Sequence, residues 1–208
     1  MAGSLSPDGK WAATIITSPP QLVLLPTRAG TPKSLKRGTI SKYERVEWFP
    51  DGKRVLLTGS EQGHGWRCYV QETEGGDPRP ITPEGTAATL PTPDGKWILI
   101  RGPDQKYSLL AVEGGDTRPV LGLEAMDTPI RWSSECRSLF AREAAGPSLK
   151  VFRVEPYSGR RELWKEIMPS DPAGLLTFAG IMLSADGKSY VYSYPRTLSD
   201  LYLADGLK

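Results

Sequence analysis

Apolar residues along this chain come in short runs and show no helical stripe. Runs at 11–16, 55–57, 97–100, 139–141 and 190–192 do not alternate cleanly with polar residues. A strand that is apolar on both sides is buried on both faces. A second series follows at 21–25, 66–70, 107–112, 149–154 and 200–203, and Gly, Pro, Asp and Ser cluster between the runs. The pattern predicts short antiparallel strands in layers. Four-stranded blades packed face to face around an axis would bury both faces of such strands.

The turns themselves repeat. Ser6-Pro7-Asp8-Gly9-Lys10-Trp11 returns as Phe49-Pro50-Asp51-Gly52-Lys53-Arg54 and as Thr92-Pro93-Asp94-Gly95-Lys96-Trp97. A degraded copy is Ser133-Ser134-Glu135-Cys136-Arg137-Ser138, and a fifth is Ser184-Ala185-Asp186-Gly187-Lys188-Ser189. Their starts are 43, 43, 41 and 51 residues apart. A period near 40–45 is that of a propeller blade. A second phrase falls between them: Glu74-Gly75-Gly76-Asp77-Pro78-Arg79 matches Glu113-Gly114-Gly115-Asp116-Thr117-Arg118, with weaker echoes at 28–33 and 155–160. Naming the strands of a blade A to D from the inside out, Pro-Asp-Gly joins A to B and Gly-Gly-Asp joins C to D. The expected fold class is all-β, a β-propeller of about five four-stranded blades, as a single domain over 1–208. The expected blades are approximately 1–38, 39–82, 83–122, 123–167 and 168–208.

The turn chemistry accounts for the acidic residues. Pro7, Pro50 and Pro93 preset the first corner of a type I turn. Asp8, Asp51, Asp94 and Asp186 suit the second corner, and Gly9, Gly52, Gly95 and Gly187 take the left-handed position after it. These residues read as structural turns, not as a metal site or a catalytic carboxylate set.

Composition narrows the class further. Gly (22) and Pro (19) make up about a fifth of the 208 residues, a density that disfavours long helices. Eighteen aromatic residues argue against disorder. A net charge of +2 excludes a strongly basic nucleic-acid binder. Cys68 and Cys136 fall in different repeats and form no zinc pattern with the single histidine, so neither metal nor cofactor is expected. Residues 1–4 do not read as a signal peptide. No apolar stretch approaches the roughly 20 residues of a membrane span.

The Ser-Pro-Asp-Gly-Lys phrase, its apolar strand and its Gly-Gly turn resemble the WD40-like (PD40) β-propeller repeat of the TolB type, over essentially the whole chain. The closing segment, with Trp164, Asp171, the run 184–194 and the ending 196–208, is similar to the C-terminal propellers of bacterial eukaryotic-type serine/threonine kinases. That resemblance implies a sensor or scaffold propeller at an extracytoplasmic, periplasmic site. No kinase motif occurs in the chain. Prolyl-oligopeptidase-type peptidases also carry such propellers, but no Gly-x-Ser-x-Gly elbow is present. The expectation is therefore a non-catalytic module for protein or peptide binding. The alternatives are a piece of a peptidase propeller and a TolB-like periplasmic interaction protein.

Ring closure is open at this stage. Residues 1–5 offer only a stub of an inner strand, and the fifth blade has strands expected near 179–183, 189–194 and 199–203. The chain reads as part of a six- or seven-bladed ring, or as a five-bladed ring with a short last blade. An open arc would invite self-association. For binding, the B–C and D–A connections gather on one rim around the channel mouth. Arg101 and Arg142 hold equivalent positions there, with Arg196 one blade on, and His64 and Tyr194 stand nearby. Such arginines can take carboxylates bidentately; solvated strand ends are the competing reading. Trp11, Trp48, Trp97 and Trp132 are expected in packing, Trp66 and Trp164 nearer the surface, and none on a ligand.

Overall fold

The computed structural model describes residues 3–145, 148–184 and 186–198. Among the described residues, all seventeen regular elements are strands. The first sheet comprises β1 (Trp11–Thr17), β2 (Pro20–Pro26) and β3 (Lys33–Ser34). The second comprises β4 (Ile40–Trp48), β5 (Arg54–Glu61), β6 (Arg67–Glu72) and β7 (Arg79–Pro80). The third holds β8 (Ala87–Pro91), β9 (Trp97–Arg101), β10 (Tyr107–Ala111) and β11 (Thr117–Pro119). The fourth holds β12 (Thr128–Trp132), β13 (Leu139–Ala145), β14 (Ser148–Val154) and β15 (Arg161–Ile167). The last holds β16 (Gly180–Leu183) and β17 (Tyr190–Ser193). Every sheet is an antiparallel meander in chain order.

Three sheets have the four strands that the repeat predicts, and the end sheets are smaller. In the first sheet the stub before the turn is reduced to one bridge, Leu5 to Ala12, reinforced by the Ala13 N–H donating to the Ser4 carbonyl at 2.9 Å. In the last sheet the strand expected near 199–203 lies outside the described residues. The inner strand β4 is long and carries irregularities after Ile40 and Tyr43. A β-bulge lets a long inner strand bend without leaving its sheet.

The apolar runs work as the pattern requires. Val55 and Leu57 of β5 pack toward the first sheet with Leu22, Leu24 and Trp48, whereas Leu56 between them packs toward the third with Ile98 and Ile100. Leu99 then faces the fourth sheet with Trp132 and Leu139. Phe140, one residue on, faces the last sheet with Phe178 and Ile181. Four clusters thus fill four interfaces, and successive residues of one strand serve two of them. Among the described strands, β16 and β17 touch none of β1 to β3.

The A–B turns are built alike in all five repeats. The residue in the Gly position donates to the carbonyl three residues back, from Gly9 to Ser6 (2.8 Å), Gly52 to Phe49 (3.1 Å), Gly95 to Thr92 (2.8 Å) and Gly187 to Ser184 (3.0 Å). Cys136 does the same to Ser133 at 3.0 Å and adopts φ 58°, close to the 66–69° that glycine holds in the other copies. The degraded fourth copy therefore keeps its turn, with a side chain in a conformation that favours glycine.

Candidate functional site

Two surfaces of the blades bear on function: the rim of B–C and D–A connections, and a cleft on the opposite rim.

On the first rim, Arg101, Arg142, Arg196 and His64 are tied to backbone or to an acid inside the chain, and Tyr194 to neighbouring rings. At the end of β9, Arg101 donates to the Ala125 carbonyl at 2.7 Å and lies 5.7 Å from the centroid of Tyr107. Its Nε is buried without a partner. Arg142 in β13 reaches the Phe178 carbonyl at 3.5 Å. Arg196 donates to the Ala173 carbonyl at 3.0 Å and pairs with Asp171. His64 shares Glu84 with the Gly65 N–H, both at 2.8 Å. Those two bonds hold the Glu84 carboxyl below its usual range, the Gly65 N–H contributing most. Tyr194 packs on Phe178 and stacks on Tyr192 at 5.9 Å. Arg101, His64 and Arg142, each from a B-strand or B–C connection, hold the segment that leads to the next blade, whereas Arg196 holds the segment that leads into its own. The first three contacts fasten successive blades, and the arginines are not brought together into one site.

Sequence reasoning missed the strongest of these fasteners. Asp127, in the segment before β12, is 1% exposed in its side chain and pairs bidentately with Arg161 of β15. Arg161 also donates to the Gly122 carbonyl at 3.2 Å and lies 3.8 Å over Phe152. Asp127 holds the turn before β12 by accepting from the Glu124 N–H at 2.8 Å, and its carbonyl accepts from the Tyr107 hydroxyl at 2.7 Å. No repeat motif contains Asp127 or Arg161, so no periodicity marks them.

The second surface is a cleft of about 580 Å³ between the first and second sheets. The two Pro-Asp-Gly turns flank it, Pro7 and Asp8 on one side and Pro50, Asp51 and Gly52 on the other. Trp11, Trp48 and Leu24 line its interior. The Trp48 indole N–H donates to the Ser4 carbonyl at 3.0 Å. At the mouth, Lys33 pairs with Glu74 at 3.3 Å across the two sheets. A hydrogen bond from Ser6 and another from the Lys10 backbone hold the Asp8 carboxyl below its usual range. At Asp51 burial raises the pKa, but bonds from Lys53 and Arg54 outweigh it and the net shift is downward.

The remaining chemistry is spare. Among the described residues, no group of three or more His, Cys, Asp and Glu is placed to hold a metal. Burial pushes the Cys68 thiol up to about 11 and the Tyr43 hydroxyl up to about 12. Both are core groups in blade interfaces. Trp66 is exposed as expected, whereas Trp164 is half-buried, edge-on to Phe140 at 5.5 Å. Among the described residues no helix is long and apolar enough to cross a membrane.

No family model matches the chain. A 55-residue stretch is 36% identical to the uncharacterized peptidase YuxL of Bacillus subtilis, covering 26% of this chain and 8% of that protein. Among solved structures, the TolB-type protein of Agrobacterium tumefaciens superposes with TM-score 0.66 at 18% identity, over all of this chain and 71% of its own. TolB of Acinetobacter baumannii gives 0.69 at 16% identity, over 94% and 54%. An oligogalacturonate lyase of Vibrio parahaemolyticus gives 0.65 at 11%, over 91% and 57%. The chain thus spans a small part of the peptidase and little more than half of two of these propellers. At such identities the likeness concerns the fold, and in fold the chain is an all-β propeller of the TolB type.

Proposed function

We propose that this chain is a non-catalytic propeller module that binds protein or peptide, with the cleft between the first two blades as its opening. The observation that carries this reading is the cleft itself. A concave site of several hundred Å³ with an apolar interior and a few placed polar groups is where proteins take ligands. Here indoles and a leucine form the interior, and carboxylates and lysines ring the mouth. The sheets on either side of it share one buried core. A panel of immobilised peptides tests the reading. Saturable binding that Trp11→Phe weakens supports it, and no saturable binding refutes it. Peptide hydrolysis or phosphoryl transfer that survives stringent purification would refute the non-catalytic part.

The finer proposal makes the module the sensor or scaffold part of a bacterial kinase-like receptor, outside the cytoplasm. Its support is the likeness of the closing segment described above. The second reading, a portion of a peptidase propeller, is favoured by the stretch similar to YuxL. A TolB-like periplasmic interaction protein is the third reading, supported by likeness of fold. A kinase frame beside the coding region would support the first of these, and an α/β-hydrolase frame the second.

A further inference from the structure

The repeats allow the cleft to be compared with its own counterparts. Position six of the turn motif is Trp11 in the first blade, Arg54 in the second and Trp97 in the third. In the second blade Arg54 lies over the Phe49 ring at 4.5 Å and pairs with Asp51 at 2.8 Å. It also reaches Glu113 of the third blade at 4.0 Å. Arg54 thereby sits between the second and third blades, beside Gly95, the repeat equivalent of Gly52 in the cleft. In the third blade, Trp97 carries the guanidinium of Arg118 at 4.1 Å.

The first blade has the same partners without the guanidinium. Asp8 is the equivalent of Asp51, Glu74 of Glu113, and Lys33 of Arg118. Lys33 turns to Glu74, and among the described residues no cation lies over Trp11. A ring that carries a guanidinium in the third blade is left without one in the first, beside a cavity and two carboxylates. An aromatic face attracts a cation most strongly where water is excluded, and guanidinium also stacks on it.

We propose that the cleft recognises an arginine side chain of a peptide, its guanidinium on Trp11 and its charge answered by Asp8 and Glu74. This inference rests on the reading of the cleft as a peptide site, and it adds the chemistry of the ligand. Lys33, already on Glu74, would be displaced or would share that carboxylate. Its ammonium is the groove's own, weaker answer to the same acid.

The test uses four peptides, acetyl-Gly-X-Gly-amide with X as arginine, lysine, citrulline or leucine. The readout is the indole N–H resonance of Trp11 in protein labelled at tryptophan, assigned with Trp11→Phe. The arginine peptide should move that resonance saturably, and citrulline, isosteric but uncharged, should bind about fivefold more weakly or worse. Asp8→Asn with Glu74→Gln should weaken the arginine peptide about two- to fivefold each and leave the leucine peptide unchanged. These two variants sit on exposed turns, so they report even if a Trp11 variant folds poorly. Equal binding of citrulline or leucine would overturn the arginine assignment while leaving a peptide site in the cleft. Binding of any of the four that leaves Trp11 unmoved would overturn the placement. No binding by any of them up to about 10 mM would overturn the inference, and the panel of longer peptides then decides the broader reading separately.

Discussion

Replacing Arg161 with Met removes the guanidinium and keeps most of the side chain's length. The Asp127 carboxylate, 1% exposed, would lose both of its charged hydrogen bonds and keep the Glu124 N–H. Leaving one member of a buried ion pair alone costs about 3–5 kcal/mol. Arg161 is itself 17% exposed, so water can enter where the guanidinium stood and solvate part of the charge. That puts the expected loss at the lower end of the range, about 3 kcal/mol. For a chain of this size it appears as a fall of about 1.5 M in the urea midpoint, followed by tryptophan fluorescence. Arg161→Met combined with Asp127→Asn should recover at least half of the loss. A single variant within about 0.5 kcal/mol of the parent at pH 7, or a double variant no more stable than the single one, would refute the picture of a buried clamp.

Other outcomes follow from the turns and the open faces. Cys136→Gly should stabilise the chain by about 0.5–1 kcal/mol, raising the melting temperature by about 2–3 °C, because relief at φ 58° outweighs the added freedom of the unfolded chain. Cys136→Ala should give no such gain. Asp51 and Asp94 have lowered pKa values because turn hydrogen bonds outweigh the upward effect of their burial. Their contribution is complete above the unfolded value near 3.9 and is lost as pH falls through the folded values, so melting temperature should drop below about pH 4. Asn at both positions should make that acid loss shallower. Met182 and Val191, 70% and 62% exposed on the outer face of the last sheet, should promote concentration-dependent association. Light scattering should show Met182→Asp with Val191→Asp shifting the chain toward monomer.

The fold was legible because its determinants are local. A Pro-Asp-Gly turn needs only its own residues, and a double-faced apolar run such as Val55-Leu56-Leu57 declares that both sides of its strand are covered. The fourth turn shows the limit. Cys136 holds the glycine conformation because the flanking strands β12 and β13 pair on either side and close the hairpin around it. Local chemistry would have forbidden the turn, and long-range pairing restored it. The short outer strands were hidden for a related reason. Lys33–Ser34 and Arg79–Pro80 have no strand-like composition and are strands only because β2 and β6 lie beside them.

The sites were legible only in part, because a side chain's partner is a matter of three dimensions. The position of Arg101 and Arg142 at the exits of B strands was readable, but the carbonyls that occupy them, Ala125 and Phe178, lie 24 and 36 residues away. Asp127 and Arg161 are 34 residues apart in no repeated register. Trp11 is the opposite case. Its own residue type says packing, as it does for Trp97, and the difference appears only when the blades are compared position by position. The third blade covers its indole with Arg118; the first has Lys33 at that place and sends it to Glu74. A repeat protein meets the same packing problem several times, so its copies serve as controls for one another. Where one copy omits a group that the others supply, and keeps the groups that would answer it, the omission marks the place where a ligand can supply it instead.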